Sequence, residues 1–233
     1  MATNTESAKD RAARAGALLV ESGMTVGLGS GSTAALMLRF LADRIEQEGL
    51  LITGVPTSRA TAELARTLKI PLRDLDDVSV LDINLDGADE IDPGFRMIKG
   101  RGGALLREKI VASSSARRVT MITAEKRVAS LGIAVPVEVS SFGMNHTEGR
   151  LKSLGSATSI RRAPDGTVFI TDGGNAIIDC QFPPISDARS LDNELQRTVG
   201  VLETGLFIDL CDTLIVGCGD GVETIETRSP EHH

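Results

Sequence analysis

MTVGLGSGSTAALMLRFLA, residues 24–42, places a short apolar run, a turn of glycines and hydroxyls, and a longer apolar-rich segment in direct succession. Met24-Thr25-Val26-Gly27-Leu28 has the length and character of a buried strand. Gly29-Ser30-Gly31-Ser32-Thr33 forces a tight bend, and residues 34–42, rich in Ala, Leu and Met, favour a helix by propensity. Strand, glycine turn and helix in this order form the building unit of a parallel α/β sheet.

Working outward, Ala12, Ala15, Leu18 and Leu19 beside Arg11, Arg14 and Glu21 predict an amphipathic helix over 10–22, closed by Gly23. Downstream the unit repeats, with a strand at 51–55, a turn at Pro56-Thr57-Ser58 and a helix over 60–68 that stops before Pro71. A further apolar strand at 78–85 runs into Asp86-Gly87-Ala88-Asp89-Glu90. Lys99-Gly100-Arg101-Gly102-Gly103 precedes a helix over 104–113, and a strand follows at 118–123. This alternation predicts an α/β fold with a doubly wound, mostly parallel, Rossmann-like sheet.

The pattern changes beyond Leu131. Val135-Pro136-Val137-Glu138-Val139, a helix near 145–154, strands at 158–162 and 168–171 joined by Pro164-Asp165-Gly166, a strand at 175–180 and a helix over 186–198 read as a smaller α+β subdomain at 131–206. Residues 213–217 are again a continuous apolar strand, which assigns 1–130 and 207–233 to the main domain.

Composition narrows the function. The net charge of −7, with six Phe and no Trp or Tyr, lacks the basic, stacking surface that nucleic acid requires. No apolar run approaches the ~20 residues of a membrane span, and the first residues lack the apolar core of a secretory signal, so the expectation is a cytoplasmic protein with no membrane partner. Cys180, Cys211 and Cys218 form no Cys-x-x-Cys pair and fit a reducing compartment. The histidines are His146, His232 and His233, the last two reading as the remnant of a tag, and a histidine-held metal has little support.

Several residues can carry chemistry. Backbone N–H groups at a helix start, beside the hydroxyls of Ser30, Ser32 and Thr33, suit a phosphate ester. The loop is not a dinucleotide fingerprint, which would need glycine at Ser32, and not a P-loop, which would need Gly-Lys-Ser or Gly-Lys-Thr. Taken alone, such a loop is equally well a capped turn. Asp86 and Asp89 follow a strand and emerge at its carboxyl edge, where doubly wound sheets bind ligands; Glu90 and Asp92 read as turn residues. Lys99 enters the second glycine turn and Glu108 lies in the helix after it. In isolation Arg107-Glu108-Lys109 is an ordinary charged helix face. With no metal spacing, nucleophile elbow or dinucleotide motif, proton transfer remains, with Glu108 as base and Lys99 stabilising the developing oxyanion.

The segments GLGSGSTA (27–34), GVPTS (54–58), LDGADEID (85–92), KGRGGALLREKI (99–110), VPVEV (135–139), TDGGNAIID (171–179) and GVLETGLF (200–207) together resemble the ribose-5-phosphate isomerase A family. The resemblance implies a homodimer or homotetramer of two-domain chains, a small sugar phosphate as substrate and no cofactor. It also implies an enediolate route in which Glu108 moves the proton while Lys99, Asp86 and Asp89 open the ring and orient hydroxyls. The substrate contacts it implies are Lys9, Ser30, Gly31, Ser32, Thr33, Gly87, Ala88, Gly100, Arg101 and Gly102. Two departures stand out. Many members carry Gly-Lys-Phe before Pro-x-Glu-Val, whereas this chain has Leu131-Gly132-Ile133-Ala134-Val135, so Lys126, Arg127 and Lys152 become candidates for a lost phosphate contact. Arg101 sits within the second glycine turn and is expected to point outward. The rivals are coenzyme A transfer through a glutamyl anhydride, which gives the lysine and acid pair no task, and a silent sugar-phosphate sensor, for which no effector segment is evident.

Overall fold

The computed structural model describes residues 7–227, so the expectation about His232 and His233 lies outside the described residues. In chain order the elements are α1 (Ala8–Leu18), β1 (Thr25–Leu28), α2 (Ser32–Glu48), β2 (Thr53–Pro56), α3 (Arg59–Thr67), β3 (Leu81–Gly87), β4 (Glu90–Ile91) and β5 (Met97–Ile98). There follow α4 (Leu105–Ser113), β6 (Ser115–Thr123), β7 (Val135–Val139), α5 (Met144–Ser153), β8 (Ala157–Ile160), β9 (Ala176–Gln181) and α6 (Ala188–Gln196). β10 (Val201–Thr204), β11 (Leu206–Phe207), β12 (Thr213–Gly217) and β13 (Val222–Glu226) complete the chain. Two compact units result. Of the described residues, one takes those up to Ala88, Ile110–Lys126 and those from Leu210; the other takes Asp89–Lys109 and Arg127–Asp209. The sequence reading put the second at 131–206, without 89–109.

The first unit is built on a six-stranded sheet in the order β13-β12-β6-β3-β1-β2, parallel except for β13. Leu28 pairs with Leu85 and Pro56, Gly87 with Met121, and Thr123 with Gly217, so the parallel strands end along one edge. Val26, Leu28, Ile83 and Leu85 pack into one core with Ala12, Ala13 and Ala17 of α1 and Met37, Leu38 and Leu41 of α2. Side chains alternate along a strand. Gly27 and Asn84 therefore face the other way, where a Cβ on Gly27 would lie 2.6 Å from Val111 of α4. Helices cover both faces, which is the doubly wound α/β arrangement expected. α1 starts at a reciprocal capping box between Ser7 and Asp10, earlier than the predicted 10–22, and stops at Leu18. α2 runs on to Glu48 because Ile45 still packs on the core and Arg44 pairs with Glu48 at 2.9 Å, ending at Gly49 with φ +69°.

The second unit holds an antiparallel sheet, β10-β7-β9-β8, and a small one, β11-β5-β4. Val135, Val137, Val139, Ala176, Ile178 and Cys180 pack with Leu151 of α5 and Leu195 of α6. The strand expected at 168–171 is reduced to bridges of Val168 with Arg162 and of Ile170 with Ala176. The turn before it is closed by the Asp165 carboxylate, which accepts from both the N–H and the hydroxyl of Thr167, and the Ala163 and Phe169 N–H groups pair across it with the Thr167 and Arg161 carbonyls. Among the described residues no helix is long and apolar enough to cross a membrane.

Candidate active site

In the first unit the strand ends bring the predicted loop and acid together. A Cβ on Gly29 would lie 2.2 Å from Asp86 Oδ1, so only glycine lets β1 pass this close to the carboxylate. The Ser30 N–H donates to Asp86 Oδ1 at 3.1 Å, as does the Gly87 N–H at 2.7 Å. Asp86 is buried and fixed by backbone donors. The Ser30 hydroxyl lies 2.8 Å from both Thr57 Oγ1 and Ser58 Oγ, which ties the loop to the end of β2. Thr57 and Ser58 were read as part of a turn; their hydroxyl network around Ser30 is an addition that the short Thr-Ser pair did not signal.

Gly31 is the N-cap of α2 at φ +89° and contributes no capping side chain, leaving the first turn, with Ser32 and Thr33, to face an anion by its N–H groups. Lys9 reaches the same point, its Nζ donating to Ser32 Oγ at 3.2 Å. It can do so because α1 begins at the carboxyl edge of β12: a Cβ on Gly217 would fall 1.8 Å from the Ala8 carbonyl oxygen. Lys126 donates to the Ala88 carbonyl at 2.5 Å, beside the Asp86-Gly87-Ala88 turn. The Glu125 carboxyl is held below its usual value chiefly by the Thr123 hydroxyl and next by a backbone hydrogen bond, with smaller help from the charges of Lys126 and Lys9. Of the candidates for the lost phosphate contact, Lys126 is thus at this edge, Lys152 pairs with Glu148 on its own helix at 3.1 Å, and Arg127 is exposed.

The second unit holds the other predicted residues. Lys99, 5% exposed, follows β5, and its Nζ stands 3.5 Å from Oε2 of Glu108, also 5% exposed. Such burial of both partners is not a solvated helix face. Glu108 sits in the first turn of α4, where the helix dipole favours a carboxylate. The buried Phe207 ring lies 5.3 Å from Lys99 Nζ and 5.0 Å from Lys109 Nζ, a cation–π contact on each. Sequence reading missed Phe207, since an apolar residue in GVLETGLF carries no sign of a cation partner. The glycine turn is stitched by the Lys99 N–H to the Gly205 carbonyl at 2.9 Å, the Gly103 N–H to the Gly100 carbonyl at 3.0 Å, and the Arg101 N–H to Asp89 Oδ2 at 3.0 Å. Gly100 has φ +106° and Gly103 φ +81°.

Arg101 and Gly102 are exposed, as expected for Arg101. Arg101 nevertheless shares with Asp89, Ile133, Arg161 and Asp179 the lining of a cavity of about 310 Å³. Glu90 was expected in a turn but begins β4, its Oε2 accepting the N–H groups of Gly132 and Ile133; Asp92, buried, leads into the turn that follows and accepts the N–H groups of Gly94 and Arg96. Among the described residues no cluster of three His, Cys, Asp or Glu is placed to hold a metal ion.

Residues 53–221 match the family model of ribose 5-phosphate isomerase A (phosphoriboisomerase A). The chain is 48% identical over 220 residues to ribose-5-phosphate isomerase A of Synechococcus sp. (strain JA-3-3Ab), covering 93% of this chain and 96% of that one. It is 49% identical over 224 residues to the enzyme of Roseobacter denitrificans, covering 93% of this chain and 85% of its relative. Among solved structures, ribose 5-phosphate isomerase A from Methanocaldococcus jannaschii superposes with a TM-score of 0.90 at 38% identity, covering 94% of this chain and 98% of its own. A D-ribose-5-phosphate isomerase in complex with phospho-erythronic acid superposes at 0.91 and 36% identity, covering 97% and 100%. The chain belongs to the ribose 5-phosphate isomerase A family.

Proposed function

We propose that this protein interconverts D-ribose 5-phosphate and D-ribulose 5-phosphate through an enediolate, with Glu108 as the base. The observation that carries this reading is the buried carboxylate of Glu108 with an ammonium 3.5 Å away. In the aldose direction Glu108 takes the proton from C2, and the C–H electrons form the C1–C2 double bond of the enediolate. The negative charge that gathers on oxygen is offset by Lys99. Return of that proton to C1, together with transfer of the O2 proton to O1, gives the ketose, with no change in overall oxidation state. Asp86 and Asp89 orient the hydroxyls and assist ring opening. Lys9, the α2 N-terminus and the hydroxyls of Ser30, Ser32 and Thr33 hold the phosphate end. Gly87, Ala88, Gly100, Arg101 and Gly102 contribute backbone to the substrate contacts.

The ligand of one solved relative, phospho-erythronic acid, supports this chemistry, because a phosphorylated sugar acid offers a carboxylate where an enediolate carries charge. On the same reading the protein needs no cofactor and works as a cytoplasmic homodimer or homotetramer in the non-oxidative pentose phosphate pathway. The test is incubation of purified protein with ribose 5-phosphate and a chelator. Ketose should form, solvent deuterium should enter C1, and phospho-erythronate should inhibit competitively; absence of ketose sinks the assignment.

A further inference from the structure

Arg161, just beyond β8, and Asp179, on β9, have no role in the site or the reaction described above, yet they are joined to the turn that bears Lys99. Arg161 Nε donates to Asp179 Oδ2 at 3.0 Å and Nη2 to Oδ1, the fork-on-carboxylate pairing that fixes a guanidinium plane. The remaining arm, Nη1, donates to the Gly100 carbonyl at 2.7 Å and to the Arg101 carbonyl at 3.1 Å. We propose that Arg161, oriented by Asp179, is a positioning residue for the isomerase reaction: it locks the Lys99–Gly102 turn, and with it the Lys99 ammonium and the Asp89 carboxylate. This role rests on the function proposed above.

The geometry says why such a clamp is needed. The turn is rich in glycine, with left-handed backbone at Gly100 and Gly103, so it has few side chains of its own to limit its conformations. Its anchors come from outside. The Gly205 carbonyl holds the Lys99 N–H, Asp89 accepts the Arg101 N–H, and Arg161 holds the two carbonyls that follow Lys99. The clamp itself is rigid: the Arg161 N–H donates to the Ile177 carbonyl, and Asp179 pairs with Pro136 and Ser159 within the antiparallel sheet. Arg161 and Asp179 line the same cavity as Asp89 and Arg101, so the pair borders the reactive groups and not the apolar core. Lysine cannot copy this, because satisfying a bidentate carboxylate and two carbonyls takes four donors held in a planar fork, and an ammonium has three.

The test is steady-state kinetics on ribose 5-phosphate with the full chain, comparing wild type, Arg161→Gln, Arg161→Lys, Lys99→Ala and the double variant Arg161→Gln/Lys99→Ala. A displacement near 1 Å of a reacting group costs up to about 100-fold, so Arg161→Gln should lower kcat by about 10- to 100-fold while KM stays within about threefold. Arg161→Lys should lose about three- to tenfold, recovering part of the effect through its charge and single head group. With Lys99 already gone, removing Arg161 should cost less than about threefold more, since its principal object is absent. A kcat within twofold of wild type in both single variants, or an undiminished loss in the Lys99→Ala background, overturns the positioning role while leaving the isomerase reading intact. If Arg161→Gln does not fold, Arg161→Lys decides by the same criterion. A wild-type protein inert on ribose 5-phosphate overturns both.

Discussion

Burial decides what Glu108 and Lys99 can do. Charges this enclosed are retained only when paired, and breaking such a pair costs about 3–5 kcal/mol because the survivor stays desolvated. Glu108→Gln removes the base while keeping shape and hydrogen-bonding capacity, so it should lower kcat by about 10²–10⁴-fold with KM changed little, as measured by a ketose assay. A variant with more than a tenth of wild-type turnover would end the base assignment. Single residues also predict a pH effect. Burial pushes the Cys180 thiol up to about 12 and the Cys211 thiol to about 11. Both thiols are more basic folded than unfolded, so the unfolded chain sheds their protons first as pH rises. Their contribution to stability is whole below about pH 9 and is lost progressively toward 11 and 12. At pH 8 a thiol reagent should find only the half-buried Cys218 quickly and all three cysteines after denaturation, which stopped-flow absorbance can count.

At the scale of elements, the strand-turn-helix from Thr25 to Glu48 is the part on which everything at the sheet edge depends. Gly29→Ala would drive a methyl into the Asp86 carboxylate and the Leu85 carbonyl, 2.2 and 2.6 Å from the new carbon, so β1 or Asp86 must move. Strain of that kind costs about 1–3 kcal/mol, and the thermal midpoint should fall along with activity. An active variant with an unchanged midpoint would contradict the packing described. This element was legible in the sequence because its signals are local: apolar run, glycines, then helix formers. Asp86, Asp89 and Lys99 could be picked out as candidates for a related reason, following apolar runs, whereas Glu108 lies within a helix and drew notice only beside them. The two-residue strands β4, β5 and β11 were not, since a strand that short has no period to detect and exists only through its partners. Nor were Arg161, Asp179 and Phe207, whose roles arise from contacts with Gly100, Arg101 and Lys99 tens of residues away in sequence. The strand expected at 168–171 survives as a hairpin of isolated bridges, with the Ala163 N–H on the Thr167 carbonyl and the Phe169 N–H on the Arg161 carbonyl, too short in each register to count as a ladder.

For the whole molecule, chain order matters as much as chain content. The first unit draws on separate stretches, and its last contribution, from Leu210 on, supplies β12 between β13 and β6. Every residue of β12 is buried. Leu214, Ile215 and Val216 alone contribute about 1.5–3 kcal/mol each, a sum comparable with the ~5–15 kcal/mol by which a domain is stable. Without β12 the Val119–Thr123 half of β6 becomes a bare edge, and the first turn of α1, which carries Lys9, loses the support of Gly217. A chain ending at Asp209 should therefore lack a cooperative unfolding transition for the first unit, although the second unit's residues are all present. Calorimetry of the truncated and full chains would test this. A sharp transition in the short chain with the enthalpy of the full one would mean that β12 is not integral to the sheet.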